Sequence, residues 1–304
     1  MKKHTILSIT GTALFSLLPG MISAQIVDKN SIIAPGATVE KLSTGYSFTE
    51  GPAADKKGNV YFTDQPNNKI IRWDAETGAF TTFSDQSGRS NGMYFDAKGN
   101  LIACADMDNQ LWSFDKSGKA TILVKDYDGK LLNGPNDLWI HPKGGIYLTD
   151  PYFRRNYWKR EPATQQDGQH LYYLTPDRSK LTRVDETFVQ PNGLIGTPDG
   201  KKLYVADPGV KKIFVFDIQK DGSLANKTEF ASVGSDGMTM DNQGNIYVTG
   251  KGVTVLDKNG NEIAQIPIQE NWTANVCFGG KNHDILFITA SKSVYTVKMN
   301  VKGI

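Results

Sequence analysis

The chain has 304 residues, with 34 Lys and Arg against 32 Asp and Glu, and two cysteines. The first 24 residues hold two of the basic groups and no acidic one, so the remaining chain is formally neutral. That balance gives no electrostatic footprint for nucleic acid or an anionic membrane.

Met1–Ala24 has the layout of an export signal. Lys2, Lys3 and His4 precede an apolar stretch from Ile6 to Met21, interrupted by Pro19-Gly20, and Ser23-Ala24 offers a small-residue cleavage site before Gln25. The uninterrupted apolar core is shorter than the ~20 residues a membrane span requires. The expectation is an exported protein, periplasmic in a bacterium with two membranes, whose residues 25–304 form a single domain.

Gln25 to Thr44 contains Ile32-Ile33 and the alternating run Thr38 to Leu42. It is expected to supply an outermost strand to the last unit of a ring, because an unpaired strand there would be an exposed edge. From Glu50 onward one frame recurs: a short polar residue, an apolar strand, a D-x-x-G turn and a second strand. The polar openers are Glu50, Asn91, Asn136, Asn192, Asp236 and a degenerate Asn275, spaced 41, 45, 56, 44 and 39 residues apart. Six such units predict an all-β, six-bladed β-propeller. The turns Asp55–Gly58, Asp96–Gly99, Asp115–Gly118, Asp241–Gly244 and Asp257–Gly260 share one chemistry: Asp bonds forward to the backbone, and Gly takes the conformation that side chains resist. Third strands are predicted around Ile70–Asp74, Gln110–Asp115, Leu171–Leu174 and Lys212–Asp217, and no window shows a sustained helical period.

The long spacing between Asn136 and Asn192 places about a dozen extra residues after Asp150-Pro151. This aromatic and basic insert, Tyr152 to Arg160, is either a solvated loop or a wall over one mouth of the channel. Asp64, Asp106, Asp150 and Asp207 close second strands and are expected to be turn anchors on the other side of the blade. Cys104 and Cys277 are expected to be buried thiols in separate blades. Gly88-Arg89-Ser90-Asn91-Gly92 matches the nucleophile elbow G-x-S-x-G, but no helix follows it and no His and Asp partners sit at suitable offsets. His141 takes the place of a turn Asp and is assigned a structural role.

In a propeller, residues at one frame position converge on the axis. The openers supply two carboxylates and four amides. Asn and Asp are ordinary turn formers, yet an oxygen-only set that includes Glu50 also suits a hard cation. Ca²⁺ is the first expectation, with Mg²⁺ or Zn²⁺ as alternatives.

Thr49-Glu50-Gly51-Pro52, Leu132 to Asp137, Thr149-Asp150-Pro151, Gln190 to Leu194 and Ser235 to Met238 together resemble the regucalcin/gluconolactonase family, over nearly all of the chain after Ala24. The resemblance implies a six-bladed propeller with a divalent metal in the channel, often Ca²⁺. It implies Glu50, Asn192 and Asp236 as ligands, and Asn136 as a ligand or a bridge to substrate. It further implies hydrolysis of a small-molecule lactone, related propellers acting on other esters or organophosphates. Asp236 is then the expected catalytic base, with Asn91, Asn136, Tyr152 and Arg154 contacting substrate. Many animal members carry Arg where this chain has Gly134. The competing expectation is a non-catalytic propeller that binds a ligand or partner around a structural metal.

Overall fold

Six small antiparallel sheets follow one another along the chain, as the six copies of the frame require. The computed structural model describes Met1, residues 25–158, Arg160 and residues 163–304; the expected leader, apart from Met1, lies outside the described residues. Each sheet begins with a strand just at or after an opener: Thr49–Ala54, Ser90–Phe95, Leu138–Ile140, Leu194–Gly196, Met238–Met240 and Thr273–Gly279. Three further strands pair outward from it in order. Neighbouring inner strands contact each other all the way round, including the sixth against the first, so the sheets form the closed ring of a six-bladed β-propeller. Among the described residues the only helical element is one 3-10 turn, Gln65–Asn67, and no helix is long and apolar enough to cross a membrane.

Ring closure follows the expected route. Glu40–Thr44 pairs antiparallel with Ser293–Lys298 and completes the sixth blade. The chain start does more than the sequence indicated: Val27–Asp28 adds a fifth strand to the fifth blade by pairing with Glu262–Ile266. The N-terminal segment thus ties two blades, which covers two sheet edges.

The hairpin turns explain the recurring Asp and Gly. At Asp55, one carboxylate oxygen accepts the amides of Lys57 at 2.8 Å and Asn59 at 3.0 Å, and Gly58 adopts φ +82°. Asp96, Asp115, Asp241 and Asp257 repeat the arrangement. His141 reproduces it with a ring: Nδ1 accepts the amide of Lys143 at 3.0 Å, which leaves Nε2–H to donate to the Gly200 carbonyl of the next blade at 3.0 Å.

Apolar residues are buried between blades rather than in one central core. Tyr247, Val255, Val276 and Leu286 pack where the fifth blade meets the sixth. Phe62, Trp73 and Phe287 pack where the sixth meets the first. Both cysteines are free, Cys104 buried and Cys277 half-buried. The core faces of the sheets therefore hold the ring rigid and leave the axis to polar residues.

Candidate active site

The innermost strands approach the axis closely because a glycine follows most openers. A Cβ on Gly51 would lie 2.0 Å from the Asn91 carbonyl oxygen, one on Gly193 2.4 Å from that of Asp236, and one on Gly237 2.1 Å from Cγ of Asn275. Each glycine makes room for the next blade's opener. The chain needs glycine there on contact grounds, and at Gly51 also because φ is +44°.

The result is a chamber of about 490 Å³ at one end of the axis. Glu50, Asn91, Asn136 and Asn192 are all buried and line it together with half-buried Asp236. The walls include Phe48, Phe153, Arg155, Pro208, Lys211 and Trp272. The sixth opener departs from the expectation. Asn275 is the third residue of its strand, is followed by Val276 rather than glycine, and lines a second cavity of about 400 Å³. Trp272, three residues earlier, stands at the chamber in its place.

Asp236 is held at both oxygens. Asn192 Nδ2 donates to Oδ1 at 2.9 Å and Trp272 Nε1 donates to Oδ2 at 2.5 Å. Burial pushes the carboxyl up to about 6, and those two donors work against the rise. Glu50 is pushed well above the usual carboxylate range by burial and by the neighbouring Asp236 charge. Because Asn192 spends its amide nitrogen on Asp236, its Oδ1 is left without a hydrogen-bond partner among the described residues, and Asn91 Oδ1 is likewise buried and unpartnered. Orphaned buried acceptors are costly. Two of them beside the carboxylates of Glu50 and Asp236 form a donor set that fits a hard, oxygen-seeking divalent cation. Among the described residues no three His, Cys, Asp or Glu side chains cluster as a metal site. At this chamber amide oxygens would make up the shell.

Asp137 belongs to a motif of the chain but not to the predicted site. It occupies the position of the opener's glycine in the third copy, the one place where that glycine is replaced by an acid, and this substitution was the available signal. Its carboxylate is buried and accepts the amide of Leu138 at 2.9 Å, and Asn275 Nδ2 lies 3.5 Å away. Burial raises it to about 7. Both residues line the second cavity, and Asp137 lies close enough for its charge to raise Glu50.

The insert contributes different residues from those expected. Phe153 and Arg155 line the chamber, whereas Arg154 is exposed and Tyr152 packs on Trp158, with ring centroids 5.9 Å apart. Side chains alternate along this extended segment, so a register one residue off selects the wrong pair. The strand-ending aspartates Asp64, Asp150 and Asp207 are loop anchors as expected, but on the opposite side of the blade from the one expected. Each accepts two backbone amides from the loop entering its own blade, at 2.8–3.2 Å, on the chamber side. Asp106 holds the insert instead.

Fold and site together define a six-bladed propeller with an oxygen-donor pocket at one mouth. Residues 48–292 match the family described as SMP-30/Gluconolactonase/LRE-like region, and the chain belongs to it. It is 27% identical to a gluconolactonase of Zymomonas mobilis, over 90% of this chain and 85% of that protein. It is 27% identical to diisopropyl-fluorophosphatase of Loligo vulgaris, over 71% of this chain and 76% of that protein. A solved gluconolactonase from Xanthomonas campestris superposes with TM-score 0.80 at 28% identity, covering 90% of this chain and 97% of that one.

Proposed function

We propose that the protein is an exported, divalent-metal-dependent hydrolase of small lactones. The observation that carries this is the pair of carboxylates, buried Glu50 and half-buried Asp236, set beside the unpartnered amide oxygen of Asn192. Family membership and similarity to gluconolactonases supply the reaction class. The basic and apolar character of Met1–Ala24 supports export.

Glu50, Asn192 and Asp236 would hold the ion, with Asn136 completing the shell or bridging to substrate. Ca²⁺ suits this all-oxygen set better than Zn²⁺, which favours His and Cys. When bound there, such an ion would supply a Lewis acid able to polarise the carbonyl and acidify water. Asp236 takes the proton from the attacking water, its carboxylate held in place by hydrogen bonds from Trp272 and Asn192. Glu50 lies deeper and stays a charge-balancing group. Asn91 and Asn136 present amide groups to the ring oxygens of the substrate, and Phe48, Phe153 and Trp272 supply apolar wall. Water adds to the carbonyl carbon, the ring C–O bond breaks, and the released alkoxide is protonated to give a hydroxy acid.

A panel of aldonolactones and aryl esters tests the reading by titration of released acid. Turnover of at least one lactone, exceeding that of open-chain esters, is expected; no hydrolysis of any member would overturn it.

A further inference from the structure

The insert is fixed by more contacts than a surface loop needs. One oxygen of buried Asp106 accepts Arg155 Nε at 2.7 Å, Tyr157 OH at 2.8 Å and Gln65 Nε2 at 2.9 Å. The Asp106 carbonyl accepts Trp158 Nε1 at 3.0 Å. Arg160 donates to the carbonyls of Leu132, at 2.7 Å, and Asn133. Arg89 stacks over Tyr157 and Arg160 over Trp158, at 4.2 and 4.0 Å from the ring centroids. Trp158 also lies on Gly134, where an added Cβ would come within 3.0 Å of its ring. This anchoring places Phe153 and Arg155 on the chamber wall.

Among the described residues Asp106 is the only one of the four strand-ending aspartates without a backbone amide to clasp. Asn68 has taken over its loop by accepting the amide of Arg89 at 2.7 Å. Freed from that task, Asp106 grips Arg155 through Nε alone. Among the described residues the two terminal nitrogens of Arg155 have no hydrogen-bond partner, and neither does the ammonium of Lys211, which lines the same chamber. A guanidinium tied at Nε presents its remaining nitrogens as a fork that matches a carboxylate. Arg155 and Arg160 both act on the Asp106 carboxylate, Arg160 is also balanced by Asp150, and the charge of Arg155 reaches Asp236 in the same chamber.

We propose that Arg155 is the specificity-determining residue of the chamber, binding a free carboxylate carried by the substrate away from its lactone ring, and that Asp106 is the positioning residue that aims it. The substrates of choice are then lactones of sugar diacids rather than neutral aldonolactones. This deepens the lactone-hydrolase reading and rests on it for the chemistry, though not for the binding.

The test compares D-glucaro-1,4-lactone with D-glucono-1,4-lactone, which differ only in carboxylate against hydroxymethyl at C6. The full chain should prefer the glucarolactone by about tenfold to a hundredfold in kcat/KM, the range of a charge-assisted hydrogen bond. Most of the preference should lie in KM, because the group is remote from the reacting carbonyl. Arg155→Gln should erase the preference, Arg155→Lys should keep part of it, and Asp106→Asn should reduce it. In parallel, calorimetry with the open-chain products should show glucarate binding more tightly than gluconate, with the difference lost in Arg155→Gln. Hydrolysis of gluconolactone with no preference, or a preference unchanged in Arg155→Gln, overturns the inference and leaves the hydrolase reading standing. Arg155-dependent glucarate binding without hydrolysis of either lactone does the reverse. Neither hydrolysis nor glucarate binding overturns both.

Discussion

Asp236→Asn is expected to lower lactone turnover by about 10²–10⁴-fold, the usual contribution of a positioned general base. Size and planarity are preserved, and an Asn oxygen still accepts the Trp272 indole proton that Oδ2 accepts at 2.5 Å in the native protein. What disappears is the basic lone pair and one of the two negative charges. The neighbouring Glu50 carboxyl, raised by burial and also by that charge, should lose part of its elevation. The check is kcat on a lactone alongside ion content and melting temperature. Loss of turnover in a folded, ion-loaded variant supports Asp236 as base; kcat within tenfold of the native value under those conditions would assign the proton to another group.

Removal of the ion should have an effect of similar size, by a separate route. Without a cation, the charges of Glu50 and Asp236 oppose each other and the amide oxygen of Asn192 has no partner among the described residues. A ligand bound only by the folded state adds about 2.7 kcal/mol at a hundred times its Kd. For a domain of this size that corresponds to a fall of roughly 4–5 °C in Tm on chelation. Chelation should also abolish lactone hydrolysis, and Ca²⁺ should restore both properties. A lower Tm with no activity before or after would favour the non-catalytic propeller.

Much of the fold was legible because propeller geometry imposes a rule on each copy. The opener, the D-x-x-G turn and the glycine after the opener are each demanded by a local contact, so they recur and are countable. The closing strand Glu40–Thr44 was readable because a ring must close. Val27–Asp28 was not, since a two-residue strand carries no periodicity. At the site, Glu50, Asn91, Asn136, Asn192 and Asp236 were found as one frame position. Asn275 was misplaced because its copy had lost the glycine that fixes depth. Asp137 was left out of the predicted site for the converse reason: only the comparison between copies makes an acid at a glycine position conspicuous. Phe153 and Arg155 lie in the insert, where no repeat sets the register and a one-residue slip exchanges the inward and outward pairs. The diversion of Asp106 depends on a contact 49 residues along the chain, and no local pattern encodes it.

The central claim is that oxygen atoms of Glu50, Asn192 and Asp236 enclose a divalent ion at the chamber mouth of the axis. Elemental analysis with anomalous scattering from crystals of the purified chain tests it most directly. The predicted result is one divalent ion per chain, located between those three side chains and absent from Glu50→Ala. Full lactone hydrolysis by a chain holding no metal, or an ion bound elsewhere with those side chains uninvolved, would contradict it.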